Sequence, residues 1–234
     1  MHKARKQTVW ITRTQPSAQQ TADAFERAGF RTLIAPLLTV EYETNREAIP
    51  DKSVLIFTSQ NGVRAFCAGQ SCRDYPVFTV GDATAQLARQ MGFSVVRSAG
   101  GTSDDIAPLI AQSALKQAQY LHRPYLHISG QHVRGTVSQD LRAAGFKAER
   151  RIYYRSASVQ VMPDIDVTKA DIAAFFSPLA AQTLALLSPQ IRHLKAASIS
   201  VATDEALGTL EFKQRCIARA PTVKSLIAAL GEAG

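Results

Sequence analysis

Five short polar strings punctuate this chain: Phe57-Thr58-Ser59-Gln60-Asn61-Gly62, Gly81-Asp82-Ala83-Thr84, Ser129-Gly130-Gln131-His132, Ser177-Pro178-Leu179 and Ala202-Thr203. Each closes an apolar run and opens a stretch of helical periodicity. In an open α/β sheet that is where ligands gather, because the carboxyl ends of strands meet helix N-termini whose first N–H groups have no partner within the helix. Thr58, Ser59, Gly81, Thr84, Ser129, Gly130, Ser177 and Thr203 would supply hydroxyls and amides there, donors that hold carboxylates without a metal. Arg13 and Arg134 suit the same task through bidentate guanidinium–carboxylate pairs. Each hydroxyl also reads as an ordinary helix cap, a role compatible with facing a ligand.

Other chemistries find no support. There is no Gly-x-Gly-x-x-Gly fingerprint and no Gly-x4-Gly-Lys-Ser/Thr loop for a nucleotide cofactor, and no Gly-x-Ser-x-Gly elbow that would make Ser59 or Ser177 a nucleophile. His2, His122, His127, His132 and His193 form no ligand pair at helical spacing, and Cys67, Cys72 and Cys216 lack zinc-type spacing. No metal and no cofactor are expected, and the thiols are expected to be reduced and mostly buried.

The net charge of +8 suits an anionic partner. Its distribution argues for a polyanionic metabolite and against nucleic acid. Arg64, Arg97, Arg142, Arg150, Arg151, Arg155 and Arg192 are scattered, and the 7% of aromatic residues are not interleaved with them as a base-stacking surface requires. Most of these arginines are expected on solvated helix faces. No apolar run approaches the roughly 18 to 20 residues that cross a bilayer, and Met1 to Gln7 leads straight into a strand, so a cytoplasmic protein with no membrane contact is expected.

The elements that must position these strings recur. Phe57-Thr58-Ser59 is echoed by Phe176-Ser177-Pro178, and the spacing from Ser59 to Thr84 matches that from Ser177 to Thr203 within one residue. Thr102-Ser103-Asp104-Asp105-Ile106 answers to Thr222-Val223-Lys224-Ser225-Leu226, and Leu126-His127-Ile128-Ser129-Gly130 to Val9-Trp10-Ile11-Thr12-Arg13. The repeat is thus circularly shifted and implies two similar domains, one of them assembled from both ends of the chain.

Short β-branched runs, among them Thr8 to Thr12, Val54 to Phe57, Ser94 to Val96, Lys147 to Tyr154 and Ile172 to Phe176, alternate with amphipathic helical patterns closed by Gly29, Gly92 and Gly145. The expected fold is α/β: two doubly wound parallel-sheet domains. Residues 1–37 with 160–234 form a discontinuous domain and 44–152 an inserted one. Residues 38–43 and 153–159 form a two-stranded ribbon joining them, which would leave a hinged cleft for a small molecule.

With these strings in view, Ile56-Phe57-Thr58-Ser59-Gln60-Asn61-Gly62-Val63, Thr79-Val80-Gly81-Asp82-Ala83-Thr84-Ala85, Gly101-Thr102-Ser103, Tyr153-Tyr154 and Phe176-Ser177-Pro178 together resemble uroporphyrinogen-III synthase, in order along nearly the whole chain. The resemblance implies a cofactor-free, monomeric enzyme of haem biosynthesis. It would cyclise hydroxymethylbilane, a linear tetrapyrrole with eight carboxylates, into uroporphyrinogen III with inversion of the last ring and loss of water. Transient contact with the upstream deaminase is part of that picture.

Residue by residue, the resemblance makes Tyr154 the candidate acid for the departing hydroxyl, since a phenol keeps its proton at neutral pH. The alternative is a ribbon tyrosine packing across to Tyr42. Strand alternation sends Tyr153 to the opposite side. Thr58, Ser59 and Thr84 match family residues expected to hold acetate or propionate arms, with Thr203 in the corresponding turn. Ser200-Val201-Ala202-Thr203-Asp204-Glu205 departs from the family's usual Gly-x-Thr-Thr-Ala and sets negative charge where an anion would sit. Ser129-Gly130 replaces an Arg-Gly turn, and Thr14-Gln15-Pro16 a more usual Arg-Pro. A non-catalytic two-domain protein binding a small anion would share the architecture. Stabilisation by sugars or amino acids rather than by uroporphyrinogen would mark it.

Overall fold

The computed structural model describes residues 5–43, 47–133 and 135–232. The chain falls into two compact units, Met1–Thr39 with Ala157–Gly234, and Val40–Ser156. It begins with β1 (Thr8–Ile11), α1 (Ser17–Arg27), β2 (Arg31–Ile34) and β3 (Leu38–Tyr42). It continues through β4 (Val54–Phe57), α2 (Gln60–Gly69), β5 (Val77–Thr79), α3 (Asp82–Gln90), β6 (Val96–Ser98), α4 (Ile106–Lys116), β7 (Tyr125–Gly130), α5 (Val137–Ala143) and β8 (Ala148–Ser158). The final run is β9 (Ile172–Phe175), α6 (Pro178–Leu187), β10 (Lys195–Ser198), α7 (Val201–Glu205), β11 (Gln214–Ile217) and α8 (Val223–Glu232).

In the first unit the sheet order is β2-β1-β9-β10-β11, parallel throughout. In the second it is β3-β8-β7-β4-β5-β6, parallel from β8 to β6. At its edge β3 runs antiparallel to β8: the Glu43 amide donates to the Tyr153 carbonyl, and the Val159 amide to the Leu37 carbonyl. The order β8-β7-β4-β5-β6 repeats β2-β1-β9-β10-β11 position for position, entered at a different strand. The circular shift read in the sequence is therefore a property of the topology. Strand order reverses between β1 and β9 in one sheet and between β7 and β4 in the other, and at such points the adjoining loops part and leave a crevice at the carboxyl edge.

Both faces of each sheet are buried, and the strands show it by alternation. Val9 and Ile11 pack with α1 and α8, around Ala22, Phe25 and Leu226. Trp10, between them in sequence, packs with Leu184 and Leu207 from the α6–α7 side, and its indole N–H donates to the buried Ala35 carbonyl at 2.7 Å. In the second unit Val54 and Ile56 meet α4 and α5, whereas Leu55 and Phe57 meet α2. His127 occupies a buried strand position between Leu126 and Ile128 where that alternation calls for an apolar residue.

Helix starts follow capping chemistry. Ser59, Ser177 and Ser200 accept the amides of Gly62, Ala180 and Thr203 and so begin α2, α6 and α7. Gly29, Gly92 and Gly145 follow α1, α3 and α5 with φ of +94°, +97° and +87°, a conformation that favours glycine and turns the chain into the next segment.

Two expectations are corrected, at β6 and at the thiols. The strand expected at Ser94 to Val96 is displaced to Val96–Ser98, because the chain is still leaving the Gly92 turn. β8 runs unbroken from Ala148 to Ser158, so the strand from Lys147 and the returning ribbon segment are one element, paired with β3. The thiols are not mostly buried: Cys72 is exposed, and Cys67 and Cys216 are half-buried, with burial raising the pKa of the latter two.

The core beneath α2 is aromatic. Phe66 stands edge-on to Phe57 at 5.9 Å and to Tyr75 at 6.2 Å, tilts against Phe93 at 6.0 Å, and stacks on Tyr153 at 5.8 Å. Phe66→Ala should therefore lower stability by about 3–5 kcal/mol, measured by urea denaturation of the whole chain. A loss under about 1 kcal/mol would mean that these ring contacts are not what holds this face.

Candidate functional site

At the β7–β4 reversal of the second unit, Thr58 and Ser59 end β4, Ser129 and Gly130 end β7, and Tyr154 lies on β8. The helix approaches closely here: a Cβ on Gly62 would stand 2.9 Å from the Ile128 carbonyl oxygen, so only glycine lets α2 settle on β7. This fixes Ser59 at the carboxyl edge. Its Oγ accepts the Gly62 amide at 3.1 Å and lies 2.8 Å from the Tyr154 hydroxyl.

Tyr154 reaches Ser59 because β8 is irregular. Ile152 is opposite Ser129 and Tyr154 is opposite Gly130, leaving Tyr153 as an extra residue in a bulge. Alternation is thereby cancelled. Tyr153 is buried in the α2-side core and Tyr154 packs against that same core, contrary to the expectation that the two tyrosines would part. Gly130 makes room for the phenol, since a Cβ there would lie 2.7 and 2.8 Å from Tyr154 ring carbons and 3.1 Å from its hydroxyl. The Gln131 amide closes the arrangement with a 2.9 Å hydrogen bond to the Tyr154 carbonyl.

Two hydroxyls in mutual contact share one hydrogen bond and carry two protons. Among the described residues the Tyr154–Ser59 pair therefore keeps one O–H for an incoming acceptor. When Ser59 donates to the phenol oxygen, the free proton is the phenolic one. The arrangement can hold an oxygen and give it a proton.

Thr58 turns to the other side of β4. Its Oγ1 lies 3.1 Å from His127 Nε2, and His127 Nδ1 lies 3.4 Å from Ser138 Oγ. Burial, reinforced by the nearby Arg150 charge, lowers the His127 pKa to about 4. The ring is neutral at pH 7 and offers one donor and one acceptor to its two hydroxyl partners. The Thr58 hydroxyl is thus engaged inward and is less open to a ligand than that of Ser59. One turn along the edge, Gly81 caps α3, a side chain there would meet nothing within 4 Å, and Thr84 is buried in the first turn behind it.

In the first unit the corresponding reversal joins Arg13 and Ser177. The Arg13 guanidinium lies 4.9 Å over the Phe176 ring and donates to Thr21 Oγ1 at 3.2 Å, while Ser177 Oγ accepts the Ala180 amide at 3.3 Å. Thr203 is fully buried, its hydroxyl 3.0 Å from Ser200 Oγ, so the half-buried Ser200 and not Thr203 is the cap of that turn. Asp204 does not confront an anion. It accepts from Ser198 Oγ at 3.0 Å and pairs with Arg215 at 3.6 Å, which directs its charge into the unit. Arg134 lies outside the described residues.

Two residues of the site escaped sequence reasoning. His127 breaks an otherwise apolar strand, a signal that was legible. Arg150, on the strand expected from Lys147 to Tyr154 but with no role assigned to it, stands on β8 opposite His127 and donates to Ser129 Oγ at 2.9 Å. Among the described residues no group of three His, Cys, Asp or Glu side chains could hold a metal ion, and no helix is long and apolar enough to cross a membrane.

The family model for uroporphyrinogen-III synthase HemD matches residues 19–228. Among solved structures, uroporphyrinogen-III synthetase from Helicobacter pylori is similar over 98% of this chain and 100% of that one, at 16% identity and a TM-score of 0.57, a likeness of fold. A mutant uroporphyrinogen III synthase from Thermus thermophilus aligns over 98% of each chain at 15% identity with a TM-score of 0.41, too low to add to this. No curated protein matches.

Two measurements follow from the geometry. Because His127 binds a proton more readily unfolded (pKa near 6.5) than folded (about 4), stability should be full above pH 6.5 and decline as pH falls toward 4, by roughly 2–4 kcal/mol in all. His127→Gln should flatten that slope in urea titrations. Gly130→Ala should displace the Tyr154 ring and cut turnover at least tenfold with the far-UV spectrum unchanged; full turnover would show that the ring need not sit there.

Proposed function

Since the chain belongs to the uroporphyrinogen-III synthase HemD family and is an enzyme of tetrapyrrole biosynthesis, we propose that the Tyr154–Ser59 pair supplies the proton for its reaction, the closure of hydroxymethylbilane to uroporphyrinogen III. Tyr154 donates to the terminal hydroxyl, which leaves as water, and the ring nitrogen's electrons form an azafulvene. The far pyrrole attacks that carbon through its own substituted position, giving a spiro intermediate. Fragmentation and reclosure invert the ring, a final proton passes from the ring carbon back to the Tyr154 phenolate and restores aromaticity, and the net change is loss of one water, a lyase reaction.

The bilane closes unaided to the uninverted isomer, so most of the protein's work is conformational: it must hold the reacting ends where attack at the substituted carbon is favoured. Ser59, Gly81, Ser129, Gly130 and the deeper Thr58 and Thr84 form one set of hydroxyl and amide positions for substrate carboxylates. Arg13, Ser177 and the turn containing Thr203 form another. With two arms per ring, the substrate needs many such contacts. The excess of basic residues, which leaves the chain at +8, favours that polyanion. In this reading the enzyme is a cytoplasmic monomer that needs no cofactor and takes the bilane from the upstream deaminase by transient contact.

The observation that carries the reading is the 2.8 Å Tyr154–Ser59 contact at the strand reversal, with one hydroxyl proton left over. Coupled turnover with the upstream deaminase, with product isomers resolved, should yield uroporphyrinogen III; only the uninverted isomer would overturn the assignment. Tyr154→Phe should lower kcat about 10–100-fold with folding intact, and an unchanged kcat would remove the phenol from the chemistry.

A further inference from the structure

We propose that Arg150 is a positioning residue for this reaction, a guanidinium clamp on the bulge that seats Tyr154. The inference rests on the reading of Tyr154 as proton donor. Its geometry is independent of that reading. Arg150 lies opposite His127 in the β8–β7 ladder, three residues before the extra residue Tyr153, and extends along the sheet toward the carboxyl edge. Its Nε donates to Ser129 Oγ at 2.9 Å, and one terminal nitrogen donates to the Gly130 carbonyl at 2.7 Å and the Gln131 carbonyl at 2.6 Å. Those are the residues on which Tyr154 rests. Gly130 lies under its ring and Gln131 donates to its carbonyl.

A bulge interrupts the regular ladder and bends its strand, so the backbone groups around it need other partners. Gly130 makes this acute, having no side chain through which packing could fix the turn. Arg150 satisfies two carbonyls and one hydroxyl from a single rigid plane. Among the described residues no carboxylate pairs with it, in contrast to the adjacent Arg151, which pairs with Glu47 and Glu149. Its charge is directed at the dipoles of the bulge. A lysine ammonium can satisfy one or two of these acceptors but cannot reproduce the planar fork. With the clamp loosened, the bulge can shift while the sheet below it stays paired, and the phenol loses its placement against Ser59.

The test is Arg150→Lys and Arg150→Gln, each made in the full chain and again in the Tyr154→Phe background, with steady-state turnover and amide exchange measured by NMR. We expect kcat to fall about tenfold with KM within twofold, and no further loss once Tyr154 is already phenylalanine. The Gln131 amide should exchange at least tenfold faster while those of Leu126 and Ile128 keep their protection. Unchanged kcat, a loss confined to KM, an equal loss in the Tyr154→Phe background, or unchanged Gln131 exchange would each overturn the proposal; a KM effect would assign Arg150 to substrate binding instead. If the unmodified protein makes no inverted product, the catalytic reading falls on its own, and the exchange comparison still decides whether Arg150 holds the bulge.

Discussion

A regular strand sends neighbouring side chains to opposite faces, so it cannot present two adjacent tyrosines to one core. The extra residue in β8 removes that restriction. With Tyr153 inserted opposite the Ser129–Gly130 step, one aromatic ring anchors in the packed layer under α2 and the next stands at the edge of the same layer, its hydroxyl on Ser59. Everything proposed for the site depends on this offset. Tyr153 stacked on Phe66 is the weight that keeps β8 in place, and the small residue at Gly130 is the space that Tyr154 enters.

Around that point the sheet edge is built from groups that carry no mobile charge: capping hydroxyls, first-turn amides and one hydroxyl pair. Dipoles of this kind are oriented by the fold before a ligand arrives, so recognising a carboxylate requires little rearrangement. Formal charges near the edge are engaged elsewhere. Asp204 turns to Ser198 and Arg215, Arg150 to the bulge, and His127 is neutral between Thr58 and Ser138. A surface arranged in this way suits a flexible polyanion that must be held at many places and then released.

Much of this was legible in the chain. Alternation of two-sided apolar strands with amphipathic segments gave the parallel α/β class, and the shifted order of matching strings emerged as the same strand order entered at a different point. Local capping chemistry located Ser59 and Ser177 because a serine accepting the amide three residues on is a short-range event. What stayed hidden was long-range or irregular. A bulge cannot be inferred from period-2 alternation, which is why Tyr153 and Tyr154 were sent to opposite sides. Thr203 looked like the active hydroxyl of its turn because the repeat aligned it with Thr84, yet both threonines lie in the first turn behind the cap and are buried. Arg150 looked like one more surface charge, since its partners are backbone carbonyls about twenty residues away, which no side-chain pattern reveals.

The strand pairing also allows the inserted unit to assemble first. Within Val40–Ser156 every partner of β4 to β7 is in hand once β8 has left the ribosome, so this unit can close its layers while synthesis continues. The other unit must wait. Its central strand β1 needs β9, and the Thr12 hydroxyl bonds to the Ala174 carbonyl across 162 residues of chain. Until then β1, α1 and β2 have an apolar face with nothing to cover it, exposed for the time it takes to translate the intervening segment. Loop-closure entropy for that span is reduced when the middle unit has already folded and brought Val40 and Ser156 together, since the effective loop shrinks to the stretches from β1 to Val40 and from Ser156 to β9. The inserted unit is therefore the element whose early completion shortens the wait of the N-terminal strands for β9.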